Sequence, residues 1–340
     1  QAAEEFIKNP GFGAHRYMPN AGYLATRQAI ASSLSRETGL VYTPNHLVMS
    51  VGAGGGLNVV IHALCDPGDE VIVLTPYFAE YLFYVSNHGA IPIVAGCDRD
   101  FVPDIQDIAS KVSSRTKAVL LNSPNNPSGV IYDRKFIAAL AEVLNRRGAE
   151  EGTEIFLVSD EPYRKIIFDG LSYPFPQHFY KRTITVSSHS KDLALPGERI
   201  GYIAVNPAYE DFEELVDALV FCNRVLGFVN APAFMQHVIT SLQDVTVDVA
   251  DYQMKRDFLV DALRESGYQV RTPEGAFYLF PESPVPDELQ LIEALQRHGV
   301  LVVPGRGFGM PGFFRVSYCV NQWVLDGAIA GFAAAAEELR

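Results

Sequence analysis

The chain has 340 residues, of which 48% are hydrophobic and 20% are charged. This composition is typical of a globular protein, and the length allows a large core and two domains. With 27 basic and 40 acidic side chains the net charge is −13, which disfavours non-specific binding to nucleic acid or to an anionic membrane surface. No apolar run in the sequence reaches the length of a membrane span.

Cysteine and histidine spacing gives no sign of metal or disulfide chemistry. Cys65, Cys97, Cys222 and Cys319 are widely separated and form no C-x-x-C pair. We therefore expect reduced thiols, which favours a cytoplasmic protein. The eight histidines show no metal-binding spacing such as H-E-x-x-H, so no metal is expected.

Short apolar runs alternate with helical patterns between about residues 47 and 205. Each run is bounded by Gly, Pro, Ser, Asp or Asn, which is typical of buried strands. The predicted strands are 71–74, 118–121, 155–158, 183–186 and 202–205, and helical spacing predicts helices at 57–64 and 135–145. This alternation predicts an α/β sheet with helices on both faces, and ligands of such sheets bind beyond the carboxyl ends of the strands.

The pattern changes after about residue 205. An acidic amphipathic helix is predicted at 209–220 and a longer helical stretch at 234–266. Beyond them the predicted order is strand, strand, helix, strand, strand, helix, at 268–270, 276–280, 288–298, 300–303, 314–318 and 322–339. We expect a large domain over residues 1–245 and a smaller α+β domain over residues 246–340.

Glycines are concentrated at residues 51–57 (Val-Gly-Ala-Gly-Gly-Gly-Leu), between a predicted strand and a helix. Glycine lets backbone N–H groups approach an anion, and the N-terminus of a helix adds partial positive charge. The segment is not G-x-x-x-x-G-K-[ST], so a nucleoside triphosphate is disfavoured. Alone, it is equally typical of a tight turn between a strand and a helix.

Two polar motifs follow further strands, at residues 122–129 (Asn-Ser-Pro-Asn-Asn-Pro-Ser-Gly) and 159–163 (Ser-Asp-Glu-Pro-Tyr). A carboxylate at a buried strand end is unfavourable unless it is paired, so Asp160 needs a cationic or hydrogen-bonding partner. By itself the first motif is also typical of a turn, and Asp160 of a helix N-cap.

Residues 187–202 (Ser-Ser-His-Ser-Lys-Asp-Leu-Ala-Leu-Pro-Gly-Glu-Arg-Ile-Gly-Tyr) place Lys191 between hydroxyl groups, with Arg199 eight residues later. A lysine that forms a Schiff base must lose its proton readily, and hydroxyls with an arginine suit a phosphate beside that amine. An isolated lysine of this kind would be an exposed loop residue. The whole segment resembles the cofactor-lysine signature of the fold-type-I aminotransferases, which carry pyridoxal 5′-phosphate (PLP).

The resemblance extends over nearly the whole chain, to the aspartate-aminotransferase-like class I/II family. It implies a large domain with a mainly parallel seven-stranded sheet flanked by helices, and a smaller α+β C-terminal domain. It also implies that Lys191 holds PLP as a Schiff base and acts as the general base, while Asp160 stabilises the pyridinium. Asn126 and Tyr163 would hydrogen-bond to the ring oxygen. The phosphate would be held by Gly52, Ala53, Gly54, Ser188, Ser190 and Arg199.

Further binding residues follow from the same resemblance. Phe78, in Thr75–Phe78, would stack on the pyridine ring, and Arg315, in Phe314–Ser317, would bind the substrate α-carboxylate through two hydrogen bonds. Tyr17 matches a Y-x-P-x-x-G element whose tyrosine reaches the phosphate of the neighbouring subunit. This implies a homodimer with shared active sites.

Substrate choice is less well specified, and the family's N-terminal arm is expected to be missing before Tyr17. Bacterial aspartate aminotransferases carry a lysine where this chain has Gly54, which disfavours aspartate. In one branch an arginine near the position of Arg224 pairs with a dicarboxylate, and Asn126 would also contact the substrate. In contrast, the rings of Phe78, Tyr81 and Phe228 would suit an apolar or aromatic donor.

We therefore expect a PLP-dependent aminotransferase that moves an amino group between an L-amino acid and a 2-oxo acid. The same motifs would also fit a PLP lyase, a decarboxylase or a cyclopropane-carboxylate-synthase-like enzyme. A non-catalytic effector-binding domain of the same fold is a further alternative.

Overall fold

The computed structural model describes residues 1–11 and 14–339. Within these residues one large sheet contains β1 (Leu47–Ser50), β2 (Glu70–Leu74), β3 (Ile91–Ala95), β4 (Thr116–Asn122), β5 (Phe156–Asp160), β6 (Thr183–Ser188) and β7 (Gly201–Val205). Their order across the sheet is β1-β7-β6-β5-β4-β2-β3. β7 runs antiparallel to both of its neighbours, and the remaining pairs are parallel. The mainly parallel seven-stranded sheet predicted from the sequence is confirmed.

The helices that precede residue 245 are α1 (Ala2–Lys8), α2 (Leu24–Thr38), α3 (Gly52–Leu64), α4 (Glu80–Ser86), α5 (Ile105–Lys111), α6 (Arg134–Glu151), α7 (His189–Asp192), α8 (Phe212–Val225) and α9 (Ala233–Ile239). Alternate strand residues pack against different groups of helices because successive side chains point to opposite faces. Val71 and Val73 join the core under α3, α4 and α8, whereas Ile72 and Leu74 join the core under α5 and α6. The sheet is thus covered on both faces.

A second sheet lies in the C-terminal part, with β8 (Tyr278–Leu279), β9 (Val303–Pro304) and β10 (Phe314–Ser317) in the order β8-β10-β9. Around it lie α10 (Val249–Glu265), α11 (Glu288–Arg297) and α12 (Gln322–Glu338). These elements share one apolar core, to which Tyr163, Ile166 and Phe168 also contribute. The boundary at residue 245 stays a prediction, and it falls between α9 and α10.

Several sequence predictions differ from the structure. The strand predicted at 268–270 is wrong, because Gln269 forms only an isolated bridge with Glu282 there. The helix predicted at 234–266 is two helices, α9 and α10, because the Asp248 side chain accepts hydrogen bonds from Ala250 N and Asp251 N and so begins a new helix. β3 was missed because it is a half-exposed edge strand interrupted by Pro92 and shows no buried apolar run. In the described part of the chain, no helix is long and apolar enough to cross a membrane.

The strand register brings the polar motifs to one edge of the sheet. Asn122 lies opposite Asp160 at the ends of β4 and β5, and Gly201 lies opposite both Ser188 and Ser50. A side chain at Gly201 would come within 2.5 Å of the Ser187 carbonyl oxygen, so only glycine allows this close approach of the chains. The fold therefore gathers the motifs beyond the carboxyl ends of β4, β5 and β6.

Candidate active site

A cavity of about 280 Å³ opens at this edge of the sheet. It is lined by Ala53, Gly54, Leu57, Phe78, Tyr81, Tyr84, Asn122, Asn126, Asp160, Pro162, Tyr163, Ser188, Ser190, Lys191, Pro196, Arg199, Tyr278 and Arg315. Most residues predicted from the sequence motifs lie in this wall, whereas Gly52, Tyr17 and Arg224 do not.

Asp160 ends β5 at the bottom of the cavity and is 6% exposed. Its Oδ2 accepts a hydrogen bond of 2.6 Å from the Tyr81 hydroxyl. Its Oδ1 is buried and has no hydrogen-bond partner among the described residues. Burial raises the pKa of Asp160 to about 6, although the Tyr81 hydrogen bond and the Lys191 charge act in the opposite direction. The site thus holds a carboxylate with one oxygen available to a cationic ligand.

Asn122 fixes the loop that carries Asn126. The Asn122 amide donates to the Asp160 carbonyl oxygen at 2.9 Å, and its Oδ1 accepts from Asn126 N at 2.7 Å. Asn126 Oδ1 in turn accepts a hydrogen bond of 2.8 Å from Arg315 Nη1. One chain of hydrogen bonds therefore connects the end of β4 to the arginine on β10.

Arg315 is oriented by aromatic rings as well as by Asn126. Its guanidinium carbon lies 4.6 Å from the centre of the Tyr278 ring and 4.9 Å from that of Phe308. Such cation–π contacts hold the planar group in place. Arg315 Nε is buried and unpartnered among the described residues, so it can still donate to a bound carboxylate.

Lys191 lies on α7, directly after β6, with its amine 5.4 Å from the centre of the Phe277 ring and 5.8 Å from that of Tyr163. Burial lowers the pKa of Lys191, and the positive charges of Arg315 and Arg199 lower it further, whereas Cys319 and Asp160 raise it. Desolvation favours the neutral amine. Lys191 is therefore suited to act as a nucleophile or a base.

Arg199 and the first turn of α3 lie together in one part of the cavity wall. Arg199 adopts a left-handed conformation, with φ of 51°, and its Nη1 donates to the Pro196 carbonyl oxygen. A Cβ at Gly52 would lie 2.7 Å from Arg199 Nη2, so the glycine leaves room for the guanidinium. Ser188 and Ser190 are buried beside it, and their hydroxyls bond to no described protein group. This part of the cavity wall presents hydrogen-bond donors and positive charge to an anion.

Comparison with known proteins identifies the family. Residues 1–332 match the family described as aminotransferase class I and II. The chain belongs to this aminotransferase family. A probable aspartate/prephenate aminotransferase of Thermus aquaticus is 34% identical over 335 residues, which cover 95% of this chain and 84% of that protein.

Solved structures agree with this assignment. An aminotransferase from Eubacterium rectale superposes with a TM-score of 0.96 at 35% identity, covering 99% of this chain and 85% of that one. The aspartate aminotransferase of Thermus thermophilus with maleate gives a TM-score of 0.87 at 31% identity, with coverages of 98% and 86%. The protein is therefore a PLP-dependent aminotransferase with an α/β fold built on a mainly parallel seven-stranded sheet.

The cavity of this aminotransferase fits PLP on chemical grounds. The free Oδ1 of Asp160 suits a protonated ring nitrogen, because a buried anion needs such a partner. The donors around Arg199 and the α3 turn suit a phosphate. Asn126 and Tyr163 line the same cavity, and the Tyr163 hydroxyl is paired with that of Tyr278 at 2.9 Å.

Besides Gly52, which neighbours Arg199, two predicted residues lie outside this cavity in the single chain. Tyr17 is 93% exposed and lines a separate surface depression that also includes Phe228 and Asn230. Arg224 ends α8, is exposed, and donates from Nη1 to Asn20 Oδ1 at 3.2 Å. Both roles that the resemblance implied for these residues require a second subunit, and they stay predictions.

Sequence reasoning missed the roles of Tyr278, Asn122 and Tyr84 and treated Tyr81 only as an apolar ring. Phe78, Tyr81 and Tyr84 recur every three residues in the sequence, a spacing that places side chains on one side of a helix. That repeat was the available signal for Tyr81 and Tyr84. Tyr278 reaches the cavity from the second sheet, which no local pattern reveals.

Asp160 is expected to destabilise the cofactor-free protein as pH rises. Its pKa of about 6 lies above the value of about 3.9 for an unfolded aspartate. Between these values the folded state binds more protons, so the free energy of unfolding falls with rising pH. The free energy of unfolding of Asp160→Asn should therefore rise by about 2 to 3 kcal/mol relative to that of the parent protein as the pH goes from 4 to 7. Urea unfolding at each pH provides the measurement. The exposed Asp217→Asn variant is the control, and equal changes in both variants would contradict this expectation.

Proposed function

We propose that the enzyme carries out transamination in this cavity, with Lys191 as the lysine that binds PLP and moves the proton. The observation that carries the proposal is that three functional groups line the same cavity wall. It combines an amine of lowered pKa, a buried carboxylate with a free oxygen, and a guanidinium with a free Nε. These are the groups needed to hold the cofactor, orient an amino acid and accept its proton.

The cofactor would be held at both of its ends. Asp160 Oδ1 would accept a hydrogen bond from the protonated ring nitrogen, and Phe78 would pack on the ring. The ring oxygen would accept hydrogen bonds from Asn126 Nδ2 and the Tyr163 hydroxyl. The phosphate would be bound by the residues around the α3 turn, namely Gly52, Ala53, Gly54, Ser188, Ser190 and Arg199. When bound, PLP supplies the sink for the electron pair that deprotonation leaves on the substrate Cα.

Arg315 would orient the substrate, and Lys191 would transfer the proton. Arg315 would bind the α-carboxylate while Asn126 and the rings of Tyr278 and Phe308 hold its guanidinium plane. This fixes which bond at Cα faces the lysine. The neutral Lys191 amine, favoured by burial, would then accept the Cα proton.

A homodimer would complete the site. The Tyr17 side chain is nearly fully exposed, and Phe221 and Val225 on α8 are exposed apolar residues. Asn230 and Arg224 hydrogen-bond to the segment that contains Asn20, so this region forms one connected surface. Pairing of two copies through it would cover these side chains and bring Tyr17 to the phosphate of the partner subunit.

For the substrates, we propose an amino acid donor with an acidic side chain and a 2-oxo acid acceptor. Support comes from relatives named aspartate/prephenate aminotransferase and from the Thermus thermophilus structure that contains maleate, a dicarboxylate. Within the cavity wall, Arg315, Arg199 and Lys191 are the cationic residues, and each already has a role. A second carboxylate would therefore need a cation from elsewhere, and Arg224 of the partner subunit is our candidate.

Removing the lysine amine tests the central proposal. Lys191→Ala should abolish the visible absorbance of the holoenzyme and lower turnover by at least about 10²-fold, because the base is lost. Borohydride reduction of the parent holoenzyme, followed by peptide mass mapping, should identify Lys191 as the residue that carries the cofactor. The exposed Lys181→Ala variant should behave like the parent protein. A Lys191→Ala variant with a normal visible band and full activity would refute the assignment.

Subunit mixing tests the shared site. Tyr17→Ala and Lys191→Ala chains should each be weakly active, because each lacks part of every site. When equal amounts of the two chains pair at random, half of the dimers are hybrids with one intact site each. About a quarter of all active sites in the mixture should then be intact. Activity of the mixture that merely equals the sum of its components, or a fully active monomer at working dilution, would rule out sharing.

Substrate choice is tested at Arg224. Arg224→Ala should lower kcat/KM for aspartate and glutamate by about tenfold or more and leave alanine and phenylalanine unchanged, because a carboxylate would lose its partner. Steady-state kinetics with these four donors provide the measurement. An equal loss for all donors, or none, would assign Arg224 a structural role and favour an apolar or aromatic donor.

A further inference from the structure

Tyr84 lies against the phosphate end of the cavity. It belongs to α4, and its ring lines the cavity beside the first turn of α3. A Cβ built on Gly54 would lie 3.0 Å from the Tyr84 hydroxyl oxygen and 3.7 Å from the ring carbon that bears it. The Tyr84 hydroxyl therefore occupies the space that a side chain at position 54 would use.

This hydroxyl has no partner among the described residues of the protein. Tyr81, one turn earlier on α4, uses its hydroxyl to bond to Asp160. Burial raises the pKa of Tyr84, and the carboxylates of Glu80 and Asp160 raise it further, although Arg199 lowers it. The phenol therefore keeps its proton at neutral pH and can act as a donor.

We propose that the Tyr84 hydroxyl donates a hydrogen bond to the phosphate of PLP, at the place where a side chain on residue 54 would otherwise lie. This inference rests on the proposed position of the phosphate at the first turn of α3. Three observations support it. The hydroxyl lies beside Gly54, Arg199 interacts with it electrostatically, and it has no hydrogen-bond partner among the described residues. A phosphate accepts but does not donate hydrogen bonds, and a protonated phenol matches it.

The experiment distinguishes contacts to the phosphate from contacts to the rest of the cofactor by comparing a ligand that carries the phosphate with one that lacks it. The protein is freed of cofactor and titrated with pyridoxamine 5′-phosphate and, separately, with pyridoxamine, neither of which forms a covalent bond with Lys191. Tyr84→Phe should raise the dissociation constant for pyridoxamine 5′-phosphate by about tenfold, since a hydrogen bond to a charged group is lost. The dissociation constant for pyridoxamine should change less than about twofold.

Tyr132→Phe is the matched control. Tyr132 also has a hydroxyl without a described hydrogen-bond partner, but it is buried in the core and does not line the cavity. The same substitution there should leave both dissociation constants unchanged. Equal weakening of both ligands by Tyr84→Phe, or no weakening of either, would overturn the proposal. So would a change in kcat/KM for amino acids with unchanged ligand binding, which would assign Tyr84 to the substrate.

Gly54→Ala adds a second test by coupling. Its Cβ would approach the Tyr84 hydroxyl to 3.0 Å and displace it, so binding of pyridoxamine 5′-phosphate should weaken severalfold. In the Tyr84→Phe variant the nearest atom is a ring carbon at 3.7 Å, so Gly54→Ala should then have little further effect. Additive effects would contradict the proposal. If instead the parent protein bound both ligands equally, or Lys191→Ala kept its visible band, the proposed cofactor site itself would be wrong.

Discussion

The buried carboxylate of Asp160 is the group on which the arrangement of the cavity depends. Tyr81 satisfies one of its oxygens, and the other is buried without a described partner. Ionisation of such a group is unfavourable until a cation binds beside it, and this is the cause of its raised pKa. A protonated ring nitrogen would supply that cation. In return, the carboxylate would keep the nitrogen protonated, so the protein and the cofactor would each stabilise the charged form of the other.

The cavity is locally positive although the chain carries a net charge of −13. Its wall includes Lys191, Arg199 and Arg315 but a single acidic residue, Asp160. The three cations come from different parts of the fold: α7, the segment before β7, and β10 of the second sheet. The fold therefore brings positive charge from three places to one cavity, which suits both a phosphate and a carboxylate. The net charge disfavours polyanions as partners but does not describe the charge inside the cavity.

What the sequence could predict depended on whether the signal was local. The large sheet and the positions of Asp160, Asn126 and Lys191 follow from short motifs at the ends of apolar runs, because neighbouring parallel strands end at the same edge. The hydrogen bond between Tyr81 and Asp160 joins residues 79 apart in sequence, and no local pattern encodes it. The helix start at Asp248 was missed for a different reason, since one continuous helix was predicted over 234–266 and the N-cap at Asp248 was not recognised.

Gly54 shows how a departure from a family pattern has to be interpreted together with its surroundings. In the sequence alone, a glycine in place of a lysine indicates the loss of a contact. In the structure, the space beside Gly54 contains the Tyr84 hydroxyl, which reaches it from α4. A side chain at residue 54 would make the Tyr84 hydroxyl shift, because its Cβ would lie 3.0 Å from the oxygen. The glycine at residue 54 therefore leaves room for the Tyr84 hydroxyl, and the roles of the two residues have to be considered together.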